Sequence, residues 1–213
     1  KKKIVLKEEW MVGFITTWIV GLLAHAYRFF NFLPIWDSIY NFTGVGSTYT
    51  LGRWFLGYAG LITSMFDLPW VNGAFSLFYI SIVVILLTEM FEIKNKGMIV
   101  LCAAIFVSFP TVVSSFAYMY TADAYLLAFL LATLAVYLTW CVKKWGTIAG
   151  MVCLAFAMGI YQAYATVAIV LVLLYIIRQF VIEKLDFLEA VRKDLKYLGM
   201  LVGGAVLYAV ILK

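Results

Sequence analysis

The stretch that decides the fold is the run at residues 71–90, which reads VNGAFSLFYISIVVILLTEM. Glu89 is its one charged residue, and a helix of this length matches the bilayer core of about 30 Å. The whole chain is also strongly apolar: 66% of its 213 residues are hydrophobic and 13% are charged, with a mean hydropathy of +1.02. Soluble domains carry about 25% charged residues. The composition excludes a water-soluble protein and predicts an all-α, polytopic membrane protein.

Further apolar runs lie on both sides of this segment. Including it, they cover residues 10–30, 71–90, 98–114, 123–140, 147–177 and 197–212. Pro110 is expected to kink or stop the third run, and residues 118–123 form a short link to the fourth. The run 147–177 is too long for one span, so a hairpin is expected near residues 159–162. About six or seven transmembrane or re-entrant helices are therefore predicted, in one transmembrane domain over residues 1–213.

Two segments outside the spans have their own patterns. An outer loop is predicted at residues 31–70, with an interfacial helix at 53–66. Residues 179–196 are predicted to form an amphipathic helix on the cytoplasmic surface. Its apolar residues recur at three-and-four spacing: Val181, Leu185, Leu188, Val191 and Leu195. The first run, although it loosely resembles a signal peptide, is expected to remain as an uncleaved span. The last run stops at Lys213, which suggests part of a longer protein.

The basic residues predict the orientation. Of 16 lysines and arginines, all but Arg28, Arg53 and Lys213 lie in the N-terminus and in loops expected on one side. Short loops rich in lysine and arginine stay in the cytoplasm. The N-terminus is therefore predicted to be cytoplasmic in a multi-pass protein of the cell (inner) membrane, with membrane lipid around it. Nucleic-acid binding is not predicted, because these charges serve orientation.

Asp37 is the candidate catalytic residue. It follows the first span within Pro34-Ile35-Trp36-Asp37-Ser38, and its carboxylate could take a proton from an acceptor hydroxyl. The alternative is a turn or a helix cap, both of which favour aspartate. Trp36 beside it could stack on a sugar ring or anchor the chain at the membrane interface.

Cationic residues near the outer side are candidates for binding an anion. Arg53 lies between Gly52 and Trp54 at the start of a predicted helix, where a guanidinium and backbone N–H groups could hold a phosphate. Snorkelling of Arg53 to lipid headgroups is the alternative. His25 and Arg28 lie three residues apart and would share a helix face, where they could assist in binding an anionic headgroup.

The remaining substrate-binding candidates are Trp54, Tyr120, Asp123 and Gln162. Asp123 opens the fourth run and could serve as a helix cap instead. Gln162 lies at the predicted hairpin tip among apolar spans, so its amide needs a partner in substrate or in another helix. Walker loops, H-E-x-x-H motifs and cysteine clusters are absent from the sequence, so no cofactor or metal is predicted.

The run from His25 to Trp54, with Trp36-Asp37-Ser38-Ile39-Tyr40 and Gly52-Arg53-Trp54, resembles the bacterial polytopic glucosyltransferases that modify O-antigen and related surface polysaccharides. The resemblance implies a GT-C-type fold, a polyprenyl-phosphate-linked sugar as donor and a glycan acceptor at the outer face. It also implies an acidic first outer loop, matched by Asp37, and a cation near the carrier phosphate, matched by Arg53. Ser38 replaces the second acid of a paired motif, so metal dependence has no support.

Two alternatives stay open beside this hypothesis. A transporter or flippase of lipid-linked sugars would line a path with polar residues, although the sequence shows no convincing repeat. A non-catalytic subunit of a membrane complex would tolerate substitution of Asp37 and Arg53. The sequence does not predict an oligomeric state.

Overall fold

The computed structural model describes residues 7–40, 49–63, 66–184 and 186–213, and every regular element in these ranges is helical. The α-helices are α1 (Glu8–Phe30), α2 (Trp36–Tyr40), α3 (Leu56–Ala59), α4 (Pro69–Met90), α5 (Lys96–Ser108), α6 (Pro110–Ser115), α7 (Met119–Cys141), α8 (Gly146–Ile160), α9 (Ala165–Arg178) and α10 (Phe187–Leu212). Short 3-10 turns cover Phe116–Tyr118 and Gln162–Tyr164, and a π-helical turn covers Gln179–Glu183.

Within the described residues, 5 helical segments are long and apolar enough to cross a membrane. They are Glu8–Phe30, Pro69–Met90, Lys96–Cys141, Gln162–Ile182 and Arg192–Leu212, and the shorter apolar helix Gly146–Ile160 adds to them. These helices confirm the predicted polytopic, all-α membrane fold.

Two predicted interruptions appear where the sequence placed them. α5 ends at Ser108, and Phe109 is extended before Pro110, as expected because proline disfavours a helical conformation in the residue before it. α8 ends at Ile160, where Tyr161 turns extended, and α9 begins at Ala165. The 31-residue apolar stretch is therefore divided into two helices near the predicted position.

Two segments differ from the prediction. Within residues 53–66 the described helix is the single turn α3, because Gly52 takes a positive φ of 76° and the N–H of Phe55 donates to the carbonyl of Gly159 instead of continuing a helix. The amphipathic helix predicted at 179–196 breaks at Lys184, whose φ is 51°, and its second part continues without interruption into the last span as α10. Residues 187–198 contain neither glycine nor proline, so no helix-breaking residue stops the helix where the predicted amphipathic segment meets the last span.

The predicted link at residues 118–123 is also more helical than expected. After a 3-10 turn that ends at Tyr118, α7 begins at Met119, so Asp123 lies inside the helix. Leu185 and residues 41–48 of the predicted outer loop lie outside the described residues, as do Ser64 and Met65 of the predicted interfacial helix.

The chain divides into two compact units, the first comprising residues 1–46 and 59–126. Its core is a layer of α1, α4 and α5, in which the glycines of α1 allow close approach. A Cβ added at Gly13 would meet Val84 and Ile99, and one added at Gly21 would meet Leu77 and Val107. From Gly13 to Gly21 along α1, the contacted residue moves back along α4, from Val84 to Leu77, so α1 runs antiparallel to α4. The contacted residue moves forward along α5, from Ile99 to Val107, so α1 runs parallel to α5.

The second unit comprises residues 47–58 and 127–213. Gly203 and Gly204 of α10 approach Met151 and Leu154 of α8, so these two helices run in the same direction. Buried residues join α9 to α10 in the opposite sense. The Gln179 amide donates to Asp194 at 3.0 Å, and the rings of Tyr175 and Tyr197 lie 5.5 Å apart. α8 and α9 are therefore antiparallel, as the predicted hairpin requires.

Candidate functional site

The most buried carboxylate among the described residues of the first unit is Asp123, which is 3% exposed. The hydroxyl of Thr63 donates to its Oδ2 at 3.1 Å, and the amide of Asn72 donates to its Oδ1 at 3.2 Å. A buried carboxylate needs such donors, because an ionised group taken out of water is otherwise very unfavourable.

The same network fixes the start of α4. The side-chain oxygen of Asn72 accepts from the backbone N–H of Leu68 at 3.0 Å, while its amide group donates to Asp123. Pro69 follows at the first helical position, where its missing N–H is not needed. Asn72 thus links the turn before α4 to the first turns of α7.

Asp67, in that turn, is in a different situation. Both of its carboxylate oxygens are shielded from solvent and have no hydrogen-bond partner among the described residues. Burial raises the pKa of the Asp67 carboxyl above its usual range, and the positive charge of Arg28 opposes that rise. An aspartate before Leu68-Pro69 is typical of a turn, so the sequence predicts no functional role for Asp67. The burial of its carboxylate oxygens cannot be read from the neighbouring residues.

Arg28 uses its guanidinium to hold backbone. Its Nε donates to the carbonyl of Phe116 at 2.8 Å, one terminal nitrogen donates to Ala117 at 3.1 Å, and the other donates to Leu33. Arg28 therefore ties the C-terminal end of α1 to the segment between α6 and α7 and keeps a positive charge there.

His25 lies one turn earlier on α1 and contacts the same region. Its Nε2 lies 2.9 Å from the carbonyl of Val107, and its ring packs against Phe29 and Phe116. The side chain is 4% exposed. The predicted shared face of His25 and Arg28 thus packs on α5 and on the chain that follows it.

Asp37 and Trp36 lie in α2, at the surface. The Asp37 side chain is exposed in the first turn of this short helix, and the Trp36 indole is 71% exposed. The hydroxyl of Ser38 closes the turn, accepting from the N–H of Ile35 at 2.9 Å and donating to its carbonyl at 2.8 Å. Tyr120, by contrast, is buried near the start of α7.

In the second unit, Gln162 holds the segment before α3. Its amide donates to the carbonyl of Leu51 at 2.8 Å and to the hydroxyl of Tyr208 at 2.9 Å. The Tyr208 hydroxyl in turn donates to the carbonyl of Gly52 at 3.0 Å. The predicted need of Gln162 for a partner is met by a second helix and by backbone.

Arg53 and Trp54 follow directly on this anchored backbone. The guanidinium carbon of Arg53 lies 4.5 Å from the ring centre of Tyr161, a cation–π contact. The Trp54 ring packs on Gly159, with its centre 5.2 Å from that of Phe156. The structure therefore places Arg53, Trp54 and Gln162 around the break between α8 and α9.

The predicted residues thus fall into two groups. His25, Arg28 and Asp123 lie in the first unit and Arg53, Trp54 and Gln162 in the second, while Thr63 and Asn72 are partners that sequence reasoning missed. An asparagine at the start of the apolar run 71–90 was the one available signal for Asn72. The described residues contain no group of three or more His, Cys, Asp or Glu residues placed to hold a metal. The arrangement offers carboxylates for proton transfer and hydrogen bonding, and guanidinium groups for an anion.

Comparison with known proteins identifies the family. No curated protein and no solved structure matches the chain. A family model described as glucosyl transferase GtrII matches residues 26–213, which confirms the resemblance seen in the sequence. The chain therefore belongs to the glucosyl transferase GtrII family, as a multi-pass membrane enzyme that transfers glucose.

Proposed function

We propose that this enzyme takes glucose from a polyprenyl-phosphate carrier and attaches it to a surface glycan at the outer face of the cell membrane. The observation that carries the proposal is the distribution of charge along the first unit. Lys7 contacts Glu89 at 2.7 Å, and Lys96 contacts Glu8, at the end where α1 and α5 begin. Asp67 and Asp123 lie toward the other end of the same helix layer, with Arg28.

This distribution supports an outer site because of the positive-inside rule. Lysines near the ends of spans favour the cytoplasmic side, so the lysine end of the first unit would face the cytoplasm. The aspartates and Arg28 would then lie toward the outer side. Acidic groups near membrane depth are unfavourable and are usually kept for function.

The reaction requires one bond to form and one to break. An acceptor hydroxyl oxygen attacks the anomeric carbon of glucose, and the bond from that carbon to the phosphate oxygen breaks, with the electron pair leaving on the lipid phosphate. The proton of the hydroxyl must pass to a base. We assign this role to Asp37, whose carboxylate is exposed at the end of α1 that carries Arg28.

The leaving phosphate develops negative charge and needs a cation. We assign this role to Arg53, which is supported on the ring of Tyr161 and follows the anchored Gly52. Trp36, with its exposed indole, is the proposed surface for stacking on a sugar ring, and Trp54 supports the segment that carries Arg53. Tyr120, His25 and Arg28 are proposed as substrate-binding residues of the first unit.

The test follows radiolabelled glucose from polyprenyl-phosphate glucose into surface glycan, in right-side-out and inside-out membrane vesicles that contain the chain. Transfer is expected when the donor and acceptor meet the outer face. Asp37→Asn is expected to lower the rate by about 100-fold or more, and Arg53→Ala by a similar factor. Glu8→Gln, at the lysine end, is the control and should transfer at the unmodified rate.

The outcomes separate the parts of the proposal. Transfer only at the inner face would overturn the orientation. Full transfer by Asp37→Asn or by Arg53→Ala would remove that residue's role while leaving the reaction intact. Transfer from a nucleotide sugar, with none from the lipid carrier, would replace the proposed donor.

A further inference from the structure

Asp67 is a half-buried carboxylate with shielded oxygens that the proposed reaction leaves unused. Its neighbour in the same region, Asp123, has two side-chain donors on its carboxylate, from Thr63 and Asn72. The two oxygens of Asp67 are shielded from water and have no donor among the described residues. Leaving such acceptors unsatisfied is unfavourable, and in native proteins it often marks a group kept for function.

The backbone on both sides of Asp67 is held in place. The N–H of Phe66 donates to the carbonyl of Thr63 at 3.0 Å, and the N–H of Leu68 lies 3.0 Å from the side-chain oxygen of Asn72. Thr63 and Asn72 are also the two side chains that bind Asp123. The buried network therefore positions the main chain around Asp67 while leaving its carboxylate unused.

The electrostatic surroundings limit what could bind to this carboxylate. Arg28 attracts it, but the three nitrogens of Arg28 already donate to the carbonyls of Leu33, Phe116 and Ala117. A phosphate would be repelled by a second negative charge. A metal ion would require further ligands, and the described residues contain no suitable group of three. A neutral ligand that brings several O–H donors fits best.

We propose that Asp67 accepts hydrogen bonds from two adjacent hydroxyl groups of the glucose being transferred, and so selects the sugar. This inference rests on the proposed function, and it adds a residue that determines sugar specificity. A carboxylate has two coplanar acceptor oxygens, which match two neighbouring hydroxyls on a pyranose ring. The indole of Trp70, 66% exposed in the first turn of α4, offers an apolar surface for the ring three residues away.

Binding requires a small movement, because the carboxylate oxygens are shielded. Because the main chain of the turn at residues 66–68 is held, with the N–H of Leu68 donating to the carbonyl of Phe66 at 3.0 Å, the movement belongs to the Asp67 side chain. A sugar that enters beside this turn would replace contacts of the carboxylate with its own hydroxyl groups. The positive charge of Arg28 favours the anionic form of the carboxylate, in which state it accepts the stronger hydrogen bonds.

The experiment measures binding, so it does not depend on catalysis or on an acceptor. The purified chain in detergent is titrated with a short-chain polyprenyl-phosphate glucose and with its 2-, 3-, 4- and 6-deoxy analogues, and binding is read from tryptophan fluorescence. In the unmodified chain, loss of either hydroxyl of one adjacent pair should weaken binding about 10- to 100-fold. The other analogues should bind nearly as well as glucose.

The Asp67→Asn variant, combined with the deoxy analogues, completes a double-mutant cycle, because asparagine keeps the shape of the side chain and removes its charge. It should bind glucose about as weakly as the unmodified chain binds the sensitive analogues, and it should lose most of the difference between those analogues and glucose. Glu8→Gln is the matched control and should keep the full difference. Equal weakening by all the analogues in the unmodified chain would overturn the inference without any variant.

The remaining outcomes are also decisive. If the unmodified chain binds the glucose-carrying lipid and Asp67→Asn discriminates the analogues equally well, the inference fails while the proposed donor stands. If the unmodified chain binds the sugar-free prenyl phosphate as tightly as the glucose form, no sugar contact exists and the inference is overturned. If it binds neither lipid, the proposed donor and the inference fail together.

Discussion

Each unit holds a turn of the chain to its helices by a polar network. The network of the first unit is buried and centred on a charge, whereas that of the second unit is part-buried and neutral. In the first unit the centre is a carboxylate, Asp123, which joins Thr63 and Asn72. In the second it is a neutral amide, Gln162, which joins Tyr208 and the carbonyl of Leu51. An amide is far easier to bury than a charge. The first network therefore has to supply donors to a buried carboxylate, whereas the second satisfies a neutral amide.

The largest expected effect comes from removing the centre of the charged network. Asp123→Ala leaves the buried amide of Asn72 without this acceptor and leaves the Thr63 hydroxyl only the longer bond to the carbonyl of Gly60 at 3.3 Å, so the free energy of unfolding should fall by about 3 kcal/mol. The measurement is thermal unfolding in detergent, with an expected decrease in Tm of several degrees. Ser81→Ala is the control, since its hydroxyl bonds only within α4, to the carbonyl of Leu77. Equal decreases in Tm would mean that the network contributes no more than a local bond.

The neutral network should respond next most strongly. Gly52→Ala would place a methyl group 2.5 Å from the Gln162 amide nitrogen and the Tyr208 hydroxyl, at a φ of 76° that disfavours alanine. The free energy of unfolding should fall by about 2 kcal/mol, as measured by thermal unfolding. Gly199→Ala, where an added Cβ meets nothing within 4 Å, should instead raise stability by up to about 1 kcal/mol. An unchanged Tm in Gly52→Ala would show that the segment is not held through Gln162.

A smaller effect, with a pH dependence, is expected for Asp67. Burial raises the pKa of this carboxyl in the folded chain above 3.8, so its ionised form lowers stability at pH values above the folded pKa. Asp67→Asn should therefore be more stable at neutral pH, by no more than about 1 kcal/mol because part of the residue contacts solvent. The gain should disappear as the pH falls through the folded pKa toward 3.8. Unfolding measured between pH 4 and 8 tests this, and a loss of stability at pH 7 would show that the carboxylate has a stabilising partner.

The smallest effect is expected for charge at the part-buried position of Glu89. Glu89 accepts from the ammonium of Lys7 at 2.7 Å and from the indole of Trp10 at 2.6 Å, near the end of α4. Glu89→Gln keeps an acceptor and removes the ion pair, so stability should fall by at most about 0.5 kcal/mol, and less in high salt. A loss as large as that of Asp123→Ala would mean that burial does not separate the two carboxylates.

The fold was largely predictable because a bilayer imposes simple rules. The run 71–90 became α4 almost to the residue, and Pro110 ended α5 as expected. Where a prediction failed, distant contacts had replaced local preference. The Phe55 N–H bonds to Gly159, more than a hundred residues away, so the predicted interfacial helix shortens to α3.

The site was less predictable, for a related physical reason. Acidic residues can be seen in a sequence, but their hydrogen-bond partners cannot. Asp123 binds Thr63 and Asn72, which are 60 and 51 residues away along the chain. Arg28, predicted as an anion-binding residue, donates to carbonyls up to 89 residues away.

The sequence by itself therefore determined that this chain is a polytopic helical glucosyltransferase, because hydrophobic length and family motifs are properties of consecutive residues. Only the tertiary structure decided which aspartate is satisfied and which is not. Burial and hydrogen bonding of Asp123 and Asp67 depend on where α1, α4 and α7 meet. The free energy of a carboxylate is set by the donors within about 3 Å of its oxygens, and those donors come from distant parts of the chain.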